Sequence, residues 1–198
     1  MTSKSCSPTS WNEAVNCLSG DSFLVPSWCP KGAIWYQHVP FGFWLVAIHR
    51  PRCLVELGTH SGFSYMAFCQ IVKASGIGTK CFAVAPRRGH MQAADCGEEV
   101  SNELNHHNST TYSEFSSLMR SSFEDAATAF AEKSIDLLHL DGFHTYESAR
   151  QTFESWLPKL SDRAIVLFHD ISERRASLGV HRLWEELKGR YPSFAFPH

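Results

Sequence analysis

The sequence predicts a doubly wound α/β domain, a mostly parallel sheet with helices on both faces. Three observations point there. From residue 52 onward, short apolar runs alternate with segments of helical spacing. Several of these runs stop at an acidic residue or a Gly-containing turn. The chain has 198 residues, 43% of them hydrophobic and 19% charged, enough for one core without disulfide or metal staples.

The elements follow in order. Met1–Ser10 is rich in Ser, Thr and Lys and reads as a disordered tail; Trp11–Gly20 suits a short helix, and Ser22–Gly32, with two prolines, a loop. Residues 1–32 are thus an N-terminal tail with a short helix and loop, and 33–198 form the domain. His38–His49 is apolar and aromatic, with Pro40 placed for a helix start; its aromatics either cover the core or line a substrate pocket. Arg52–Leu57 is the first strand, and the spacing of Phe63, Met66, Ala67 and Ile71 marks the helix after it. Lys80–Ala85 is the second strand, Gly97–His107 a polar helix, Tyr112–Leu118 a weak third strand and Phe123–Ala131 a helix. Ile135–Leu140 is a buried strand, expected beside the first at the sheet centre. Tyr146, Ala149, Phe153 and Trp156 mark a helix that Pro158 helps to stop. Ala164–His169 is the last clear strand, and Val180, Leu183, Trp184 and Leu187 mark the final helix. Ser193–Phe196 has the character of one more edge strand, so the sheet is read as truncated at its C-terminal edge.

Composition narrows the function. A formal net charge of −2 gives no nucleic-acid footprint, and no apolar run is long enough to span a bilayer. Seven cysteines, none in a C-x-x-C pair, read as reduced thiols. With no apolar leader in the first twenty residues, the expected location is cytoplasmic. Aromatics in 28–44, taken as exposed, would suit a partner surface, either a second copy or a neighbouring domain of a longer protein.

The strongest local signal is Glu56-Leu57-Gly58-Thr59-His60-Ser61-Gly62-Phe63-Ser64, where a strand ends at an acid and a glycine turn opens a helix. Ligands of open parallel sheets bind at such strand ends. Gly58 permits a sharp turn and close approach of a ligand, and Gly62 permits close packing at the helix start. A dinucleotide fingerprint would need glycine at 60 and 63, where His60 and Phe63 stand, and no Walker Gly-Lys-Ser/Thr is present. Glu56 suits a cofactor bearing an ammonium and a sulfonium, as S-adenosylmethionine does.

Asp141 and Asp170 end two further strands and would converge on the same rim. Two carboxylates there could hold a hard cation such as Mg²⁺, with His169 adding a nitrogen. Strand alternation, however, argues against His169 and Asp170 facing the same way. His144, near the start of the next helix, is placed to be a neutral general base for methyl transfer to a hydroxyl.

At these residues the chain resembles the class I S-adenosylmethionine-dependent methyltransferases, specifically methyltransferase family 24. The matching segments are HVPFGFWLV, LVELGTHSGFSYMAF, SIDLLHLDGFHTYESARQTFESWLPKL, AIVLFHDI and GVHRLWEELKGRYPSFAF. The resemblance implies a Rossmann-like fold and an O-methyltransferase acting on a sugar or a glycosylated small molecule. It implies cofactor contacts at Glu56, Gly58, Ser61, Gly62 and Ser64, with Thr59, His60 and Asp141 beside them and Ser121 or Ser122 near the adenine. It implies acidic metal ligands at Asp141 and Asp170, and a base at His144. Where the family usually carries Val-Asp to hold the ribose, this chain reads Val84-Ala85-Pro86, then Gly89-His90. A lost bidentate ribose contact is worth roughly 1–3 kcal/mol, about ten- to hundredfold in affinity. The alternative is therefore a degenerate methyltransferase fold serving as a binding or assembly module.

Overall fold

The computed structural model describes residues 20–31, 35–86, 98–142, 145–175 and 178–196. Its centre is a sheet of five strands, β1 (Cys53–Leu57), β2 (Lys80–Ala85), β3 (Ser116–Arg120), β4 (Ile135–Leu140) and β5 (Leu160–Phe168). They pair in the order β3-β2-β1-β4-β5, every pair parallel. The helices are α1 (Val39–His49), α2 (Phe63–Ala74), α3 (Glu98–Thr111), α4 (Phe123–Ala127), α5 (Tyr146–Trp156) and α6 (Val180–Leu187), with 3₁₀ turns at Gly20–Phe23, Trp35–His38 and Leu157–Lys159.

Alternation along the central strands sorts side chains into two cores. Leu54, Cys81, Ala83 and Leu137 pack with Phe43, Val46, Phe68 and Ile71 on one face. Val55, Leu57, Val84, Leu138 and Leu140 pack with Phe123, Phe153, Trp156 and Leu183 on the other. Both faces of β1 and β4 are covered, which is why these strands read as unbroken apolar runs. The fold is therefore the doubly wound, Rossmann-like sheet that the sequence predicts, with β1 beside β4.

Several boundaries shift, each for a local reason. The polar helix runs on to Thr111, with Ser109 and Thr110 hydroxyls bonded back to the His106 carbonyl. Tyr112–Phe115 then form a turn, so β3 begins at Ser116 rather than at Tyr112. α4 stops at Ala127 because the amides of Thr128, Ala129 and Phe130 switch to carbonyls three residues back. β5 starts at Leu160 rather than Ala164; a register shift opposite Ile135–Leu137 absorbs the extra residues.

Trp35 and Phe43 are buried, Trp28, Phe41 and Trp44 lie partly buried against the core, and Tyr36 is exposed. Most aromatics of 28–44 thus cover the core, with Tyr36 left exposed. Trp11–Ser19, Gly89-His90 and Ser193–Phe196 contribute differently: the first two lie outside the described residues, and the third has no strand structure. Among the described residues, no helix is long and apolar enough to cross a membrane.

Candidate active site at the strand ends

Register places the site. Leu57, Val84, Met119, Leu140 and Phe168 form one row across the sheet. One residue further on stand Gly58, Ala85, Arg120, Asp141 and His169. Backbone bonds continue the ladder past the strands: Gly58 N–H to Val84 O at 2.9 Å, Asp141 N–H to Leu57 O at 2.9 Å, and His169 N–H to Leu140 O at 3.1 Å. The β1, β4 and β5 exits are thereby fixed side by side.

The loop after β1 alternates handedness. Gly58 (φ 98), His60 (φ 42) and Gly62 (φ 77) are all left-handed. At Gly58 the close approach comes from the protein itself, since a Cβ there would lie 2.5 Å from the Asp141 carbonyl oxygen. A Cβ at Gly62 would lie 2.2 Å from Leu104 Cδ1, so α3 packs on this glycine as the sequence suggests. His60 is exposed, Gly58 and Ser61 are half-buried, and Thr59, Gly62 and Ser64 are buried. Trp28 donates its indole N–H to Ser61 O at 3.0 Å and stacks on His107, tying the N-terminal segment to the loop.

Glu56 lies beneath this loop, fully buried. Its register partner on β4 is His139, whose Nδ1 lies 2.8 Å from Glu56 Oε2. Burial pushes the Glu56 carboxyl above its ordinary range, and His139 opposes that. Glu56 Oε1 has no partner at bonding geometry, although the Ser64 hydroxyl is near, and Thr59 Oγ1 is likewise buried and unpaired. Two orphaned oxygens at the end of β1 and in the loop after it are costly unless something bonds them. His139 was not singled out by the sequence; only the β1–β4 register reveals it.

The structure gathers Asp141, His169 and Asp170, against the alternation argument. β5 ends at Phe168 and Asp170 turns left-handed (φ 59), so alternation no longer applies. His169 Nδ1 lies 3.0 Å from Asp141 Oδ1 and 3.1 Å from Asp170 Oδ1. Burial works against a charged ring, yet the two carboxylates hold its pKa up to about 10. The ring nitrogen thus stands between the two carboxylates. Among the described residues no group of three His, Cys, Asp or Glu is arranged to hold a metal ion.

On the other side of β1, Ser121 and Ser122 follow β3; Ser121 N–H bonds Ala85 O at 3.3 Å. Ser122 caps α4, its Oγ accepting from Asp125 N–H at 3.1 Å, so part of its bonding capacity is already committed. Between these serines and Gly58, the β2 position in the row is Ala85, with no carboxylate. His144 lies outside the described residues.

A family model described as a methyltransferase domain, that of family 24, matches residues 55–171. The protein y4gI of Sinorhizobium fredii, described as uncharacterized, is 45% identical over 173 residues, or 87% of this chain. The chain spans only 19% of that relative's length. Among solved structures, the O-methyltransferase TomG of Streptomyces achromogenes, in complex with SAM, superposes with a TM-score of 0.62 at 14% identity, covering 82% of this chain and 72% of that one. The O-methyltransferase of Bacillus cereus, in complex with SAH, gives 0.58 at 16% identity, covering 82% and 73%. At such identities the likeness concerns the fold, whereas the family match runs from Val55 within β1 to Ile171 just past β5 and includes Glu56, Asp141 and Asp170. The chain belongs to the methyltransferase domain family 24.

Proposed function

We propose that this domain is an S-adenosylmethionine-dependent O-methyltransferase acting on a hydroxyl of a sugar or glycosylated small molecule, in a cytoplasmic setting. The observation that carries the reading is the row of strand exits, which sets the left-handed Gly58–Gly62 loop directly beside Asp141. The cofactor, when bound, supplies an electrophilic methyl on a sulfonium.

The residues fit its methionine end. Thr59 Oγ1 and Glu56 Oε1 are acceptors without partners, and Asp141 adds a carboxylate for an ammonium. The open side of residues 58–64 would receive the rest, with Ser121 or Ser122 toward the base. At the ribose end Ala85 offers no acceptor, so affinity should be modest. Mg²⁺ does not fit the Asp141–His169–Asp170 arrangement, and no step is routed through it. In the metal-free reaction His144 takes the acceptor's proton as the oxygen attacks the methyl in line, and Asp141 orients the partners.

Calorimetric titration with S-adenosylhomocysteine, with and without Mg²⁺, tests this. Saturable binding is expected, unchanged by the metal. His144→Ala should reduce turnover by about a hundredfold or more while sparing cofactor affinity. Unaltered turnover would remove His144 from the mechanism. Gly58→Val is a poor probe of the loop, because it collides with the Asp141 backbone first.

Ala85 supports a second reading, a degenerate fold retained as a binding or assembly module. That module would give no heat with millimolar S-adenosylhomocysteine despite an intact fold.

A further inference from the structure

A cleft of about 370 Å³ opens between the start of α5 and Arg174, Arg175 and Leu178–Arg182, the approach to α6 and its first turn. That lies at the small end of the about 300–1,000 Å³ typical of ligand sites. Thr145 and Tyr146 form one wall; Arg174, Arg175, His181 and Arg182 form the other.

The guanidinium groups are unevenly matched. Arg175 is paired with Glu173 at 2.6 Å. Arg182 lies over the Tyr146 ring, 4.2 Å from its centroid, and Arg174 donates to the Ile171 carbonyl at 3.1 Å. Among the described residues no carboxylate stands at ion-pairing distance from Arg174 or Arg182. Of the nearby acids, Glu185 pairs with Lys188 at 2.6 Å and interacts with Arg174 and His181 only at longer range, and Glu186 accepts from the Tyr146 hydroxyl at 2.5 Å. Glu147 is the remaining acid on the cleft wall.

The cleft is joined to the strand-end site along the chain. Thr145 follows Asp141 by four residues, as Arg174 follows Asp170. Glu173 N–H bonds the Asp170 carbonyl at 3.1 Å. Gly179 seats the loop on α5, since a Cβ there would lie 2.1 Å from the Tyr146 amide nitrogen. The wall bearing the arginines is thus anchored at both ends.

We propose that this cleft binds a phosphate or diphosphate on the methyl acceptor, making the substrate a phosphorylated, hydroxyl-bearing small molecule rather than a neutral glycan. The inference rests on the methyltransferase reading for the word acceptor, though not for the anion site itself. Two guanidinium forks without carboxylate partners match phosphate oxygens in geometry and charge. A neutral glycan would offer these guanidinium groups no opposite charge, whereas a phosphate offers one to both and would fix the orientation of the attacking hydroxyl.

The test is calorimetric titration of the full chain with inorganic pyrophosphate at low salt, with S-adenosylhomocysteine titrated in parallel. Saturable pyrophosphate binding is expected in the wild type, weakened at least about tenfold in Arg174→Gln/Arg182→Gln and retained in Arg182→Lys. Binding of S-adenosylhomocysteine should be equal in all three, and matching melting curves establish that the double variant folds. Absence of saturable pyrophosphate binding would overturn the site, as would equal affinity in the folded double variant. Pyrophosphate binding without S-adenosylhomocysteine binding would uphold the anion site and defeat the methyltransferase reading instead.

Discussion

The two ends of the sheet are built on opposite terms. At the amino end, Asp136 is buried and fully engaged: Arg52 reaches it through its backbone N–H (2.8 Å), Nε (2.9 Å) and a terminal nitrogen (3.0 Å), and Ser161 through its hydroxyl (2.6 Å). Nearby, buried Thr79 donates to the Pro51 carbonyl at 2.6 Å. At the carboxyl end, Glu56 Oε1 and Thr59 Oγ1 lack partners and three residues in five are left-handed. At the amino end the buried polar groups named here are satisfied within the chain, whereas at the carboxyl end a buried carboxylate oxygen and a hydroxyl are left for another molecule to meet.

Substitutions can break that contrast, and the largest effect belongs to Gly58→Val. It combines a positive φ with a collision against the Asp141 carbonyl, and should cost about 3–5 kcal/mol in urea unfolding. A loss under 1 kcal/mol would mean the β1 and β4 loops separate freely.

At the opposite end, Asp136→Ala should cost about 1–3 kcal/mol, mainly through lost charge-assisted hydrogen bonds, while leaving S-adenosylhomocysteine affinity intact. Its pH dependence has a definite sign. The hydrogen bonds from Arg52 hold the Asp136 carboxyl well below its usual range. The folded pKa is depressed, so this contribution is full above the unfolded value near about 3.9 and fades as pH falls below it. Acid unfolding of the wild type should therefore be steeper than that of Asp136→Ala below about pH 4.

Gly62→Ala sharpens the comparison from the loop side. Strain at φ 77 and the contact with Leu104 together predict a loss of about 1–2 kcal/mol, part of it recovered with Leu104→Ala in a double-mutant cycle. Smallest is Trp28→Phe, which deletes the bond to Ser61 O and should cost about 0.5–1.5 kcal/mol. A weaker S-adenosylhomocysteine complex in this variant would show that the tie orders the loop for its ligand.

The sequence made the architecture legible because β1, β2 and β4 are short apolar runs with clear stops, and their bounds hold to within a residue. Gly58, Asp141 and Asp170 were legible as strand-end residues. What it hid depends on register and on departure from regular structure. Glu56 meets His139 only because Leu57 pairs with Leu140. His169 and Asp170 face one another because the strand has already ended. The role of Gly58 was visible as a turn, whereas its neighbour, the Asp141 backbone, lies 83 residues away in the chain.

That contact confines how this domain can diversify. With no room for a single methyl group between position 58 and the chain at 141–142, neither loop can be remodelled alone. A change of acceptor that moved the β4 exit would drag the β1 loop with it. Variation in substrate must therefore enter through segments not clamped in this way.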